Sequence, residues 1–98
     1  MLYVIARVKL EEGAMASFLE AAVPCVEATR LEPGNISYEL ALHGEEENVV
    51  LIIERWQNRA ALDAHFIAPH FLTYRQATSG MVASRRIDVV TAEQVEVL

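Results

Sequence analysis

Apolar residues alternate with polar ones along LYVIARVKL (2–10), which puts Leu2, Val4, Ala6, Val8 and Leu10 on one face of a predicted strand. Tyr3, Ile5, Arg7 and Lys9 take the other face. The period then lengthens. Met15, Phe18, Leu19, Ala22 and Val26 recur at helical spacing, predicting a helix over 13–31 that Pro24 should kink or bend. Pro33 and Gly34 forbid its continuation. In NISYELALH (35–43) the alternation returns, with Ile36, Tyr38, Leu40 and Leu42 on one face. NVVLIIERW (48–56) is apolar on both faces, and the polar tip GEEEN between these two strands suits a hairpin.

Asn58 is placed to cap a helix over 59–67. Pro69 interrupts it, and a second helical piece runs to Gly80. MVASRRIDVV (81–90) reads as a fourth strand, and the alternation in TAEQVEVL could add a strand to an edge, its own or a partner's. The order β–α–β–β–α–β predicts one α+β domain over 1–98 with the ferredoxin-like split βαβ arrangement, an antiparallel sheet carrying its helices on one face. A central strand apolar on both sides needs cover on both. The second cover is expected from another copy of the chain, giving a homodimeric barrel, with a pocket between sheet and helices or inside the barrel.

Composition supports that expectation: 53% of the 98 residues are hydrophobic, a high share for a domain too small to bury so much alone. The net charge of −6 argues against nucleic acid or an anionic membrane as partner, since both call for a positive field. No apolar run approaches the roughly 20 residues needed to span a bilayer, and the N-terminus has no secretory pattern, so a cytoplasmic location is expected. Cys25 is the single cysteine, flanked by no base, and reads as a buried inert thiol.

The chemistry concentrates in ERWQNRAALDAHFIAPHF (54–71). Strand parity sets Glu54 and Trp56 on the face of Val50 and Ile52, so a carboxylate continues an apolar row. If buried, it should hold its proton more tightly and become a candidate base; at the strand end it could instead be solvated or paired with an arginine. His65 follows Leu62 by three positions and faces inward. His70 lies beyond Pro69, and a continuous helix would turn it about 140° from His65. The i, i+5 spacing across a proline does not match a two-histidine metal site, so no metal is expected. Dinucleotide, phosphate-loop and nucleophile-elbow motifs are absent from the sequence.

EPGNISYEL (32–40), IERW (53–56) and ALDAHFIAPHF (61–71) resemble, in this order and spacing, the antibiotic biosynthesis monooxygenase family. Its pattern runs E-x-G-[CN]-x-x-Y, then E-x-[WY], then A-x-x-x-H and x-x-H-[FMY], and the match covers about half the chain. The resemblance implies a dimeric α+β barrel. It implies activities ranging from cofactor-independent oxygenation of quinols or anthrones to haem degradation and isomerisation of a phosphorylated dicarbonyl. The haem-degrading branch carries an asparagine on its first strand, which LYVIARVKL lacks. By resemblance, His65 would be base or proton relay, with Glu54 orienting it or sharing the proton. Tyr38 and Trp56 would wall an aromatic substrate, Asn35 would donate to a carbonyl or peroxide, and His70 would join the binding set. The expected activity is oxygenation of a small aromatic with O2 and no cofactor. The alternatives are the isomerase, for which one of Arg7, Arg55, Arg75, Arg85 and Arg86 could anchor phosphate, and a non-catalytic ligand-binding dimer.

Overall fold

In the computed structural model, which describes residues 1–98, the elements are β1 (Leu2–Leu10), α1 (Met15–Thr29), β2 (Asn35–Leu42), β3 (Val49–Trp56), α2 (Arg59–Phe66), α3 (Pro69–Thr78) and β4 (Val82–Thr91). The strands form one sheet in the order β2-β3-β1-β4, with every neighbouring pair antiparallel. This is the expected α+β, ferredoxin-like arrangement.

Register explains the core. Tyr38, Glu54, Val4 and Val89 form one row across the sheet, Leu40, Ile52, Ala6 and Ile87 the next, and Leu42, Val50, Val8 and Arg85 the third. The helices cover the β1 and β3 part of these rows, where Val4, Val8 and Val50 are almost fully buried, as is Trp56 one row beyond. α1 contributes Phe18, Ala22, Cys25, Val26 and Thr29 to the same layer, a stripe at intervals of four, three, one and three residues. The Phe18 ring meets Tyr74 of α3 edge to face at 5.9 Å. Burying each large side chain of this layer contributes roughly 1.5–3 kcal/mol.

Local chemistry sets the element ends. The Asn58 side chain accepts a hydrogen bond from the Ala61 N–H at 2.9 Å, capping α2 as expected. Pro69 begins α3 at a position where no helical N–H is required. Pro24 does not break α1: the chain remains helical from Met15 to Thr29. Pro24 and Glu20, whose carbonyl loses its partner, both lie on the exposed side, where water can take the bond.

Two sequence expectations change. Ile36 does not share the inward face with Tyr38, because a bulge between Asn35 and Ser37 shifts the register and leaves Ile36 40% exposed. The tail after Thr91 adds no strand to this sheet. No helix is long and apolar enough to cross a membrane.

Gly34 joins the turn after α1 to the sheet. Its φ is +85°, its carbonyl accepts from the Gln57 N–H, and a Cβ there would stand 2.6 Å from Ala61 Cβ. Gly34→Ala therefore combines left-handed backbone strain with a push against α2. Urea unfolding should show a loss of about 2–4 kcal/mol, and a loss near zero would show that α2 does not rest on this glycine.

Candidate functional site

A cavity of about 350 Å³, including its open mouth, lies between sheet and helices. Ala6 explains where it opens: the middle row has a methyl group at its centre, flanked by Ile52 and Ile87. Val4, Val8 and Tyr38 complete much of the floor. Phe66 at the end of α2, with Phe71, Tyr74 and Arg75 of α3, forms the other wall. α2 and α3 are separated by Ile67–Ala68, so each presents its own aromatic face rather than continuing one helical stripe.

Glu54 is the carboxyl in this wall. It is 5% exposed, and its Oε1 accepts from the Trp56 indole Nε1–H at 2.9 Å. Burial pushes its pKa up to about 7, opposed by the indole hydrogen bond and reinforced by the charge of Glu32. Its second oxygen makes no hydrogen bond within the protein. Tyr38 is directly opposite in register. Burial, followed by the nearby Glu54 charge, raises the Tyr38 phenol well above its ordinary value and keeps it protonated.

Behind this wall is a second polar group. Glu32, in the turn after α1, places Oε2 2.7 Å from His65 Nδ1 and 2.8 Å from His70 Nε2. A carboxylate oxygen can only accept, so the geometry assigns protons to both of those nitrogens. His65 is 1% exposed, and burial holds its pKa below the ordinary value despite the raising effect of Glu32. The imidazole is therefore neutral at pH 7, with a lone pair on Nε2. That buried nitrogen has no hydrogen-bond partner. The rings of Phe71 and Trp56 surround His65 at 4.8 and 5.0 Å, with Tyr38 at 5.5 Å.

This arrangement revises the sequence-based picture. The hydrogen-bond partner of His65 is Glu32, not Glu54, whose bond goes to Trp56. His70 does not point away from His65, because the chain breaks before Pro69 and turns it back to the same oxygen. Asn35 spends both amide hydrogens on the carbonyls of Ser37 and Arg55, holding the bulge together. Of the predicted residues, Tyr38 and Glu54 line the cavity; His65, His70, Trp56 and Asn35 do not.

Glu32 was absent from the predicted site, and Arg85 stood only among five arginines offered as a phosphate anchor. Glu32 stood within the quoted motif, and the need of an inward histidine for a partner was its signal. The parity of β4 was the signal that separates Arg85 from Arg86, since Arg85 shares the inward face with Ile87.

The chain break before Pro69 brings His65 and His70 together, which i, i+5 spacing on a continuous helix would not. The ligand atoms of Glu32, His65 and His70 in fact lie within 4.8 Å of one another. Their N···O distances are nevertheless those of hydrogen bonds. Zinc ligands about 2.0–2.2 Å from the ion would stand more than about 3 Å apart, so this trio would have to open to take one.

Comparison with known proteins agrees with the geometry. Residues 1–77 match the family model described as antibiotic biosynthesis monooxygenase. YcnE of Bacillus subtilis, which carries a provisional monooxygenase name, is 31% identical over 96 residues, covering 98% of this chain and 100% of that protein. The protein sll1783 of Synechocystis, which has no assigned function, is 34% identical over 80 residues, or 82% of this chain. The matched part is only 54% of that longer protein. The structure of Rv0793 from Mycobacterium tuberculosis superposes with a TM-score of 0.89 at 26% identity, covering 96% of each chain. On both sequence and structure, the chain belongs to the antibiotic biosynthesis monooxygenase family.

Proposed function

We propose that this protein is a cofactor-independent monooxygenase that uses O2 to oxidise a small, electron-rich aromatic of the quinol or anthrone type. The observation that carries this reading is Glu54: a carboxyl with a pKa near neutrality and one unbonded oxygen, set in an aromatic-walled cavity. A base is most effective when its pKa lies near the working pH. The carboxylate removes a proton from the activated C–H or O–H of the substrate. The resulting anion is a strong enough reductant to pass an electron to O2, and recombination forms a C–O bond. For an anthrone-type methylene, the hydroperoxide then loses water to leave a carbonyl. The balance is one O2 consumed, one oxygen in the product and one in water, with Glu54 returning the proton it took.

The walls of Phe66, Phe71 and Tyr38 exclude water from the anion and stack on its ring. The Trp56 N–H fixes the Glu54 carboxyl. His65 lies beside the indole and acts as a positioning residue through it.

The working unit is a homodimer joined through the open face of the sheet. On that face Ile5 pairs with Ile53 and Tyr3 with Val90, and the three aliphatic residues are each more than a third exposed. Covering them supplies the second layer that the apolar β3 strand lacks.

Oxygen uptake against hydroquinones, naphthohydroquinones and anthrones tests the activity. kcat/KM should rise with pH through about 7 and then level, because the ionised form of Glu54 is the base. Glu54→Gln should reduce the rate by about 10²–10⁴-fold. Full activity in that variant would exclude Glu54 as base, and no uptake above autoxidation across the panel would overturn the oxygenase reading.

Stability should move the other way. Between pH 4.5, the ordinary Glu54 value, and about 7, the folded protein holds a proton that the unfolded chain has released. This group's contribution therefore falls as pH rises through that window. At pH 8, Glu54→Gln should unfold at higher urea than the parent, by up to about 3 kcal/mol; a less stable variant would mean that the charge is well solvated.

Sedimentation should give twice the 10.9 kDa chain mass. Ile53→Lys should shift the distribution to monomer, and a dimer unaffected by it would move the interface elsewhere.

A further inference from the structure

Two guanidinium groups at the cavity have no acid to pair with. Among the seven arginines, Arg7, Arg59 and Arg86 each face a carboxylate. Arg30 and Arg55 donate to the Tyr38 carbonyl and the Ser37 hydroxyl. Arg75 and Arg85 do neither, although acids outnumber bases by fourteen to eight in this chain. Both are half-buried and both line the cavity. The Arg75 guanidinium lies 5.2 Å from the centre of the Phe71 ring, beside the space where an aromatic ligand would stack. The Arg85 side chain comes from the sheet, opposite Val8.

The two are close enough to repel: burial chiefly, and then the Arg75 charge, make Arg85 release its proton more readily than usual. The remaining titratable groups of the lining do not neutralise them. Tyr38 and Tyr74 are held as neutral phenols by burial, and Glu54 is half protonated near pH 7. Two cations are thus brought together on a largely apolar surface, and nothing in the protein balances them.

Distance along the floor adds a dimension. Glu54 lies in the row of Val4 and Arg85 in the row of Val8. Four residues of strand separate those rows by about 13 Å. Glu54 and Arg85 therefore enter the cavity floor from its first and third rows.

We infer that the cavity takes a fused-ring aromatic ligand bearing an oxyanion. Its rings lie over Ala6 between the sheet and Phe71, its oxyanion is held by Arg75 and Arg85, and its acidic C–H or O–H end is presented to Glu54. A planar carboxylate matches the fork of a guanidinium, and a phosphate monoester presents the same chemistry. The inference rests on the cavity being the substrate site. Binding is measured without turnover, so it can fail while oxygen uptake stands, or stand while uptake fails.

Isothermal titration with 2-naphthoate, its neutral counterpart 2-naphthamide and 2-naphthyl phosphate tests it. The parent protein should bind at least one anionic probe at least ten times more tightly than the amide, and added NaCl should erode that preference. Arg75→Gln and Arg85→Gln should each weaken the anionic probe about tenfold and leave the amide unchanged. Arg86→Gln, outside the cavity, should change neither. Ala6→Leu should abolish binding of all three by filling the floor. Whichever anion is preferred identifies the oxyanion. Equal affinity for anion and amide, no binding of either anion by the parent, or an undiminished preference in the double arginine variant would overturn the inference.

Discussion

A carboxyl group in an apolar row must either find a partner or keep its proton, and in this fold Glu54 does some of both. One oxygen takes the Trp56 indole hydrogen; the other has nothing within the protein to bond. Its neighbours across the sheet are Val4 and Tyr38, which offer little solvation to a charge. Such a group weakens the folded state near neutral pH. The same physical state, half ionised at the working pH, suits it to proton transfer. The cavity beside it follows from two further constraints: Ala6 leaves the middle row low, and Pro69 divides the helical cover into two short pieces that cannot close over it.

What keeps those short pieces in place is polar. Glu32 belongs to the turn after α1, His65 to the end of α2 and His70 to the first turn of α3, and one carboxylate oxygen binds both imidazoles. Three chain segments are pinned at a single atom, directly behind the aromatic wall. Gly34 brings the same turn against α2 closely enough to exclude a side chain. The wall residues Phe66 and Phe71 each follow one of the two histidines in sequence, so this pin sets where the aromatic wall stands. His65, a candidate base on the sequence, gives its Nδ1–H to this support.

The fold was readable from the sequence because it rests on periodicity. The alternation in β1 and β3 and the helical stripe of α1 each placed their residues on the correct face. Asn58 and Pro69 marked helix boundaries through local hydrogen-bond chemistry. Parity also put Glu54 inside. Other features depend on contacts between distant segments, which no local pattern encodes. The bulge at Ile36 changes a face without changing composition. His70 returns to His65 only because the helix ends at Phe66, and helical angles cannot predict across that break. Arg85 looks like any surface arginine until the register of β4 against β1 turns it toward the helices.

The most direct test of this account is a ¹³C NMR titration of the Glu54 side-chain carboxyl in the folded protein. The structure predicts a midpoint near 7, with the Trp56 indole N–H resonance shifting in the same transition because the two groups share a hydrogen bond. A midpoint near the ordinary 4.5 would mean that water or an unseen partner solvates the charge. Glu54 would then lack the proton affinity on which the proposed chemistry depends.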